Sequence, residues 1–227
     1  MKKLGFLFLF GIATFSVTYA IDFNVSVGFG GDFGFVFSNF NSNIPEPMKS
    51  QVEDGLKNTS LNRGGFWFYV DLTYVEFNLG GKFYNITLKQ LGPDYKETQN
   101  YFNIGLMGKY PISLNDKISL FPLIGFDWQI FTKVKMSEGI YSEELARSDL
   151  SFLNIDKSYF DRFVINFGLG ADFFVWQGMY VRTILNYGIN LHTKMQRDMI
   201  DQINDLGYDV SVLNHGPSIK LAIGYRF

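Results

Sequence analysis

Apolar and non-apolar residues alternate with a period of two over much of the chain, and this pattern constrains the fold more than any other feature. In residues 23–37, phenylalanine and valine occupy nearly all odd positions, and small or polar residues occupy nearly all even ones. A period of two is that of a β-strand, whose successive side chains point to opposite faces. The chain is therefore predicted to consist of strands with one apolar face and one polar face.

Eight segments carry this alternation, and the lengths of their connections follow a second regularity. The predicted strands are residues 21–37, 66–71, 74–85, 101–111, 118–131, 162–174, 179–191 and 216–227. Three connections are short, and the other four, residues 38–64, 86–100, 132–161 and 192–215, are long and alternate with them. Such a meander is typical of a barrel with short periplasmic turns on one rim and long extracellular loops on the other.

The N-terminus has the pattern of a secretory signal peptide. Lys2 and Lys3 precede an apolar segment, residues 4–17, that is too short to span a membrane as a helix, and Thr18-Tyr19-Ala20 resembles a cleavage site. We therefore expect a cleaved signal peptide at 1–20 and a barrel domain at 21–227; a membrane helix anchored at the start is the weaker alternative. The mature chain then has 18 basic and 22 acidic residues, which argues against a nucleic-acid partner.

The composition of the polar face indicates which side of the strands meets lipid. This face is rich in glycine, asparagine and serine, which suit a narrow lumen better than a solvated surface. Its charges are balanced, six acids against six bases, as a closed interior requires because an unpaired buried charge costs several kcal/mol. The predicted lumen charge network is Asp22, Asp32, Asp71, Glu76, Asp127, Asp172, Lys82, Lys109, Arg162, Arg182, Lys220 and Arg226.

Lipid offers no water to a free sheet edge, so lipid-facing strands must close on themselves. The predicted fold is therefore all-β: an eight-stranded antiparallel up-and-down transmembrane β-barrel with short periplasmic turns and four long extracellular loops. Aromatic residues near the predicted strand ends are expected at the membrane interfaces. They are Trp67, Tyr69, Tyr110, Trp128, Trp176 and Tyr225.

The signal peptide, the eight-strand meander and the terminal "GYRF" resemble the small outer-membrane barrels of the OmpA-domain, OmpX and OmpW type. The resemblance implies a bacterial outer-membrane location. It also implies that Tyr225 and Phe227 carry the C-terminal signal read by the barrel-assembly machinery, with periplasmic chaperones as further partners. The motif is common to the whole class and does not identify a solute.

Other chemistry has little support in the sequence. The glycine-rich segments 28–34 and 168–173 do not complete a nucleotide-binding motif and lie within predicted strands. His192 and His215 are the only histidines, and alternation places Ser218 on the opposite face from His215. The sequence therefore predicts neither an enzyme nor a metal or cofactor site.

Two functions remain open for a monomeric barrel embedded in outer-membrane lipid. The first is a porin-like one, in which the narrow charge-paired lumen passes small or apolar solutes. The second is an anchor whose long extracellular loops serve adhesion or ligand binding. Helical patterns within two of the loops, residues 45–56 and 193–207, are expected to pack over the barrel mouth, and a partner-binding face is the alternative.

Overall fold

The computed structural model describes residues 24–46, 49, 59–88, 95–138, 141–151, 156 and 158–227. The predicted signal peptide and Asp22 lie outside the described residues, as does nearly all of the helical pattern at 45–56. The predicted processing site at Ala20 therefore stays a prediction.

The described chain is almost entirely strand. Its strands are β1 (Ser26–Phe35), β2 (Phe37–Ser42), β3 (Thr59–Asp71), β4 (Val75–Leu88), β5 (Tyr95–Lys109), β6 (Ile112–Asn115), β7 (Ile118–Glu138), β8 (Tyr141–Ala146), β9 (Arg162–Trp176), β10 (Met179–Asn190) and β11 (Val210–Arg226). One α-helix, α1, spans Lys194–Asp205, and a 3-10 turn spans Asp149–Ser151.

Eight of these strands form a closed antiparallel barrel in the order β1-β3-β4-β5-β7-β9-β10-β11. The first strand pairs with the last, from Ser26 opposite Arg226 to Gly34 opposite Ser218, so this sheet has no free edge along that seam. The remaining strands β2, β6 and β8 extend the wall by pairing with β11 or β7. The predicted eight-stranded up-and-down barrel is confirmed.

Short turns and both ends of the described chain lie on one rim. Residues 72–74 join β3 to β4, and residues 177–178 join β9 to β10. Gly178 adopts φ 88°, which a residue without a side chain tolerates, while Thr73 adopts φ 66° and donates its hydroxyl to the carbonyl of Asn24 at 3.0 Å. By the pattern of outer-membrane barrels this is the periplasmic rim.

The predicted extracellular loops are too long, because the strands continue beyond their apolar stretches. Residues 59–65 belong to β3, and β4 and β5 remain paired from Leu88 opposite Tyr95 downward. The top of β7 forms a hairpin with β8, and β2 pairs with Val210–His215 of β11. Polar residues are frequent on both faces of these extensions, as in "YKETQN" at the start of β5, so the apolar outer face of the membrane-spanning parts does not continue into them.

The apolar residues of the barrel strands face outward and the polar residues face inward. Alternate residues of β1, β3 and β4 are exposed phenylalanine, valine and leucine, while Asp32, Asp71 and Glu76 on the same strands are buried. An exposed apolar wall of this extent is suited to hydrocarbon and not to water. The protein is a bacterial outer-membrane barrel, as predicted.

No helix in the described part of the chain has both the length and the apolar composition that a membrane crossing requires.

Candidate functional site

The lower lumen is organised around one arginine. The Arg182 guanidinium contacts three carboxylates: Asp172 at 2.6 and 2.7 Å, Asp71 at 2.7 Å, and Glu76. Lys109 forms a second ion pair with Asp71. These residues come from β3, β4, β5, β9 and β10, so the cluster ties together strands on different sides of the barrel.

Aromatic side chains surround this ion cluster inside the barrel. The Arg182 guanidinium lies 4.7 Å from the ring centre of Tyr69, 5.0 Å from that of Phe121 and 5.2 Å from that of Tyr180. The hydroxyl of Tyr69 donates to that of Tyr180 at 3.0 Å. Ions and rings together fill the cross-section at this level.

The predicted interfacial position of Trp67 and Tyr69 is wrong. Both side chains point into the lumen and are only 2% exposed. The two residues share their parity along β3 with Asp71, so the alternation that places this aspartate inside places them inside as well. The other four aromatics of that prediction, Tyr110, Trp128, Trp176 and Tyr225, are exposed on the outer surface.

A second polar layer lies above the aromatic one. Lys82 forms an ion pair with Asp32, and Asp127 accepts hydrogen bonds from Asn166 at 3.0 Å and Asn103 at 3.3 Å. Gly105 leaves room for this layer, since a Cβ there would lie 2.3 Å from a carboxylate oxygen of Asp127. The lumen is thus packed with hydrogen-bonded side chains over several levels.

Three bases of the predicted network form no ion pair within the described residues. Lys220 is buried 5.6 Å from the ring centre of Trp67, and Arg226 lies 4.2 Å from that of Phe174 at the periplasmic mouth. Arg162 stacks over Tyr84 and Tyr101 and donates to Gln99. Among the described residues, Arg162 is thus held by aromatic rings and an amide and not by an acid.

Two buried charged residues were missed by the sequence reasoning. Arg63 donates to the Ser218 hydroxyl at 2.8 Å and to the carbonyl of Gly216 at 3.4 Å. Asp161 accepts from Arg147 at 2.5 Å and from the backbone N–H of Phe131 at 2.9 Å. Extending the parity of β3 upward from Asp71 would have found Arg63; Asp161 precedes β9 and no periodic signal marks it.

Above the filled lumen the barrel opens into a cavity of about 450 Å³ at the extracellular end, here called the cup. Its walls include Leu61, Ile86, Val134 and Met136, and residues from α1 contribute to its rim. Its lining also contains a polar patch, which consists of Glu97, Gln99, Tyr101 and Arg162. The cup therefore combines apolar walls with a small group of convergent polar atoms, as small-molecule sites do.

The helix beside the cup begins as its sequence predicts. Thr193 caps α1: its hydroxyl accepts from the N–H of Gln196, whose side chain accepts from the N–H of Thr193, both at 3.1 Å. Lys194 reaches Asp156 at 3.5 Å, and the backbone N–H and hydroxyl of Ser158 hold the pKa of that aspartate below its usual value. Met199 and Leu206 remain exposed, so α1 does not bury its whole apolar face over the mouth.

The histidines and the C-terminal residues have separate surroundings. His215 points outward, whereas Ser218 is buried inside the lumen, so the two side chains do not meet. His192 contacts the carbonyl oxygen of Val212. At the C-terminus Tyr225 and Phe227 lie on the outer wall with ring centres 5.2 Å apart, and Phe227 is 74% exposed. Their role as an assembly signal stays a prediction.

No protein-family model matches the chain, and no curated protein matches it. Among solved structures, it is similar to Neisserial surface protein A, with 8% identity and a TM-score of 0.47 over 89% of this chain and 97% of that one. It is also similar to the outer membrane protein OprG of Pseudomonas aeruginosa, with 12% identity and a TM-score of 0.41 over 90% and 96% of the two chains. The N-terminal barrel domain of OprF from the same organism matches with 9% identity and a TM-score of 0.40 over 89% and 97%.

Proposed function

We propose that the protein is a sealed outer-membrane barrel that acts at its extracellular end, where the cup binds a small amphipathic molecule with an acidic group. The observation that carries the proposal is the contrast along the barrel axis. The lumen is filled by ionic and aromatic layers, and a cavity of about 450 Å³ lies above them. This develops the loop-binding alternative of the sequence analysis and not the porin-like function.

The filled layers argue against a conduit. An eight-stranded barrel has an interior only about wide enough for its own side chains. Here a solute would have to displace Arg182 from three carboxylates, and separating buried ion pairs costs several kcal/mol per uncompensated charge. Such a cost supports a structural role for the Arg182 ion cluster, which closes the lumen to solutes.

The cup supports a ligand with one acidic end. The Arg162 guanidinium is held over the Tyr84 and Tyr101 rings at 4.6 and 4.9 Å, and its hydrogen-bond partner among the described residues is Gln99. Since a guanidinium has five N–H donors, donors remain for a carboxylate, phosphate or sulfonate. The apolar walls then suit a hydrocarbon body above that group.

A titration with octanoate tests this function, because octanoate combines a carboxylate with a short hydrocarbon chain. Binding to the full chain in detergent micelles would be measured by calorimetry. We expect Arg162→Gln to weaken binding at least about tenfold, since a hydrogen bond to a charged group is lost. Leu61→Trp should abolish binding by filling the cup. Lys133→Gln, in an exposed ion pair on the rim, is the matched control and should bind like the wild type.

Planar-bilayer recording separates this function from the porin-like one. A sealed barrel gives no steady single-channel steps. Arg182→Met, which removes the central arginine of the ion cluster, is the positive comparison and should give such steps. Steady steps from the wild-type protein, together with unchanged octanoate binding in Arg162→Gln, would replace the proposal with a conduit.

A further inference from the structure

A groove of about 540 Å³ runs along the outer, lipid-facing wall of the barrel. It crosses β9, β10, β11 and β1, where the register places Phe167 beside Tyr187 and Tyr187 beside Pro217. The compact Pro217 side chain forms a low point between Tyr187 and the phenylalanines of β1, Phe33 and Phe35. The lining is almost wholly apolar.

The seam of the barrel is irregular at this point. Pairing of β1 with β11 ends at Gly34 opposite Ser218, and pairing of β2 with β11 begins at Phe37 opposite His215. Pro217, between these two ladders, has no N–H to donate. The carbonyl of Gly216 instead accepts from Arg63 inside the lumen. The groove is therefore a local feature of the closing strands.

A chain of polar groups lies at the extracellular end of this groove. The Tyr187 hydroxyl contacts Nδ1 of His215, and Nε2 of His215 lies 3.0 Å from the side-chain nitrogen of Asn39. The Tyr187 and His215 rings stack with centres 5.6 Å apart. Tyr187 and His215 share the strand parity of the exposed residues Leu185 and Ile219, so both lie on the outer, mostly apolar wall. A polar group facing lipid is costly unless it has partners at the level of the headgroups.

One tautomer of His215 leaves the Tyr187 hydroxyl proton free. With the amide N–H of Asn39 directed at Nε2, Nδ1 bears the ring proton and donates it to the Tyr187 oxygen. The Tyr187 hydroxyl proton is then available to a group outside the protein. A hydroxyl donor thus stands at the end of an apolar groove, close to the level where the membrane meets water.

We propose that this groove and its polar end form a binding site for one lipid of the outer leaflet. An acyl chain lies in the groove, and a headgroup oxygen accepts the hydrogen bond of Tyr187. The occupant is a membrane lipid because the wall that carries the groove faces hydrocarbon, and because the donor lies at the extracellular end. The volume is within the range of about 300–1,000 Å³ found for small-molecule sites.

The chain contains a matched control site. A second apolar groove of about 430 Å³ crosses β1, β3 and β4 on the outer wall and is lined by Phe29, Phe68, Val70 and Phe77. Its lining side chains include one hydroxyl, that of Tyr69, which donates into the lumen to Tyr180. Ordinary boundary lipid would occupy both grooves alike, whereas a built site should hold lipid only at the first.

Native mass spectrometry of the full chain in detergent micelles, titrated with dimyristoylphosphatidylglycerol, tests the proposal. The wild type should form a saturable one-lipid adduct. Tyr187→Phe should weaken it about fivefold, because one hydrogen bond is lost while the ring remains. Pro217→Phe, which fills the groove, should abolish it, and Val70→Trp in the control groove should leave it unchanged.

Heat-modifiable gel mobility establishes that each variant is a folded barrel, and Leu185→Trp fills the same groove if Pro217→Phe does not fold. The proposal is overturned if the filling variant binds the lipid as the wild type does. It is equally overturned if Tyr187→Phe leaves the affinity unchanged, or if Val70→Trp lowers it as much as the filling variant, since lipid binding would then be unspecific.

Discussion

At the scale of single residues, Arg182 has the most demanding position in the barrel. Its guanidinium is almost fully buried against Asp71, Glu76 and Asp172, and its flat faces lie near aromatic rings. Three acids around one arginine leave an excess of negative charge, which Lys109 reduces by pairing with Asp71. Every member of the cluster therefore depends on the others for its charge balance.

Arg182→Met should destabilise the barrel by about 3–5 kcal/mol, the usual cost of removing one partner from a buried ion pair. Urea unfolding of the protein in detergent, followed by intrinsic fluorescence, measures this loss. Lys133→Met is the control: its partner Glu144 is exposed, so the change should cost no more than about 1 kcal/mol. Equal stability of the two variants would contradict the role given to Arg182.

At the same scale, strand parity predicts which face a residue occupies, and residue type alone misleads. Arg182, Asp172 and Asp127 are inside because they alternate with apolar neighbours that face lipid. Trp67 and Tyr69 were predicted at the interface from their aromatic character, against the parity that they share with Asp71. The sequence does not predict which acid each base pairs with. Arg182 and Glu76, for example, are brought together by the shear of the barrel and not by their spacing in the sequence.

At the scale of elements, the extracellular ends of the strands differ from their membrane-spanning parts. In the membrane-spanning parts, one face of each strand is apolar and meets lipid, and the register is set by burial of the polar face in the lumen. Above, in β2, β8 and the start of β5, polar residues are frequent on both faces, and the backbone pairing continues with side-chain contacts such as the ion pair of Lys133 with Glu144. The sequence therefore predicts the strands where lipid demands an apolar outer face and loses them where the outer face meets water.

Helix α1 is the element whose local sequence predicts it best, because its signals are short-range. Thr193→Ala should cost about 1 kcal/mol by removing the capping hydroxyl, so amides of the first turn should exchange about five times faster. Hydrogen–deuterium exchange of peptides covering 193–200 measures this. Lys194→Ala removes an exposed ion pair with Asp156 and a contact 6.0 Å from the centre of the Tyr159 ring, but no capping group, so it should leave exchange nearly unchanged. Faster exchange in both variants would show that the cap is not what holds the turn.

At the scale of the whole molecule, the barrel is the inverse of a water-soluble one. Most of its buried side chains with ions or amides are inside, and most of the phenylalanines of its strands are outside, where hydrocarbon replaces water as the solvent. The sequence predicts this arrangement through the glycine-rich, charge-balanced face. The cup at its mouth could not be predicted, because the residues that line it come from many strands and from the ends of predicted loops.

The three tryptophans test this orientation directly, since Trp128 and Trp176 lie on the outer wall and Trp67 lies in the lumen. Each variant keeps one tryptophan, carries phenylalanine in place of the other two, and is reconstituted into brominated lipid. The fluorescence of Trp128 and that of Trp176 should be strongly quenched. That of Trp67 should be nearly unaffected, because the barrel wall keeps bromine out of contact. Quenching of Trp67 to the same degree as Trp176 would mean that the faces are assigned the wrong way round.

The pairing of β1 with β11 also governs how such a chain can reach its final form. Ser26 and Arg226 are opposite each other although 200 positions separate them along the polypeptide. A contact of that sequence separation is slow to form, and no shorter piece of the sheet can substitute for it. Until the last strand arrives, the first one has an unpaired edge that could join a neighbouring molecule. Each copy is thus most vulnerable to aggregation just before it closes.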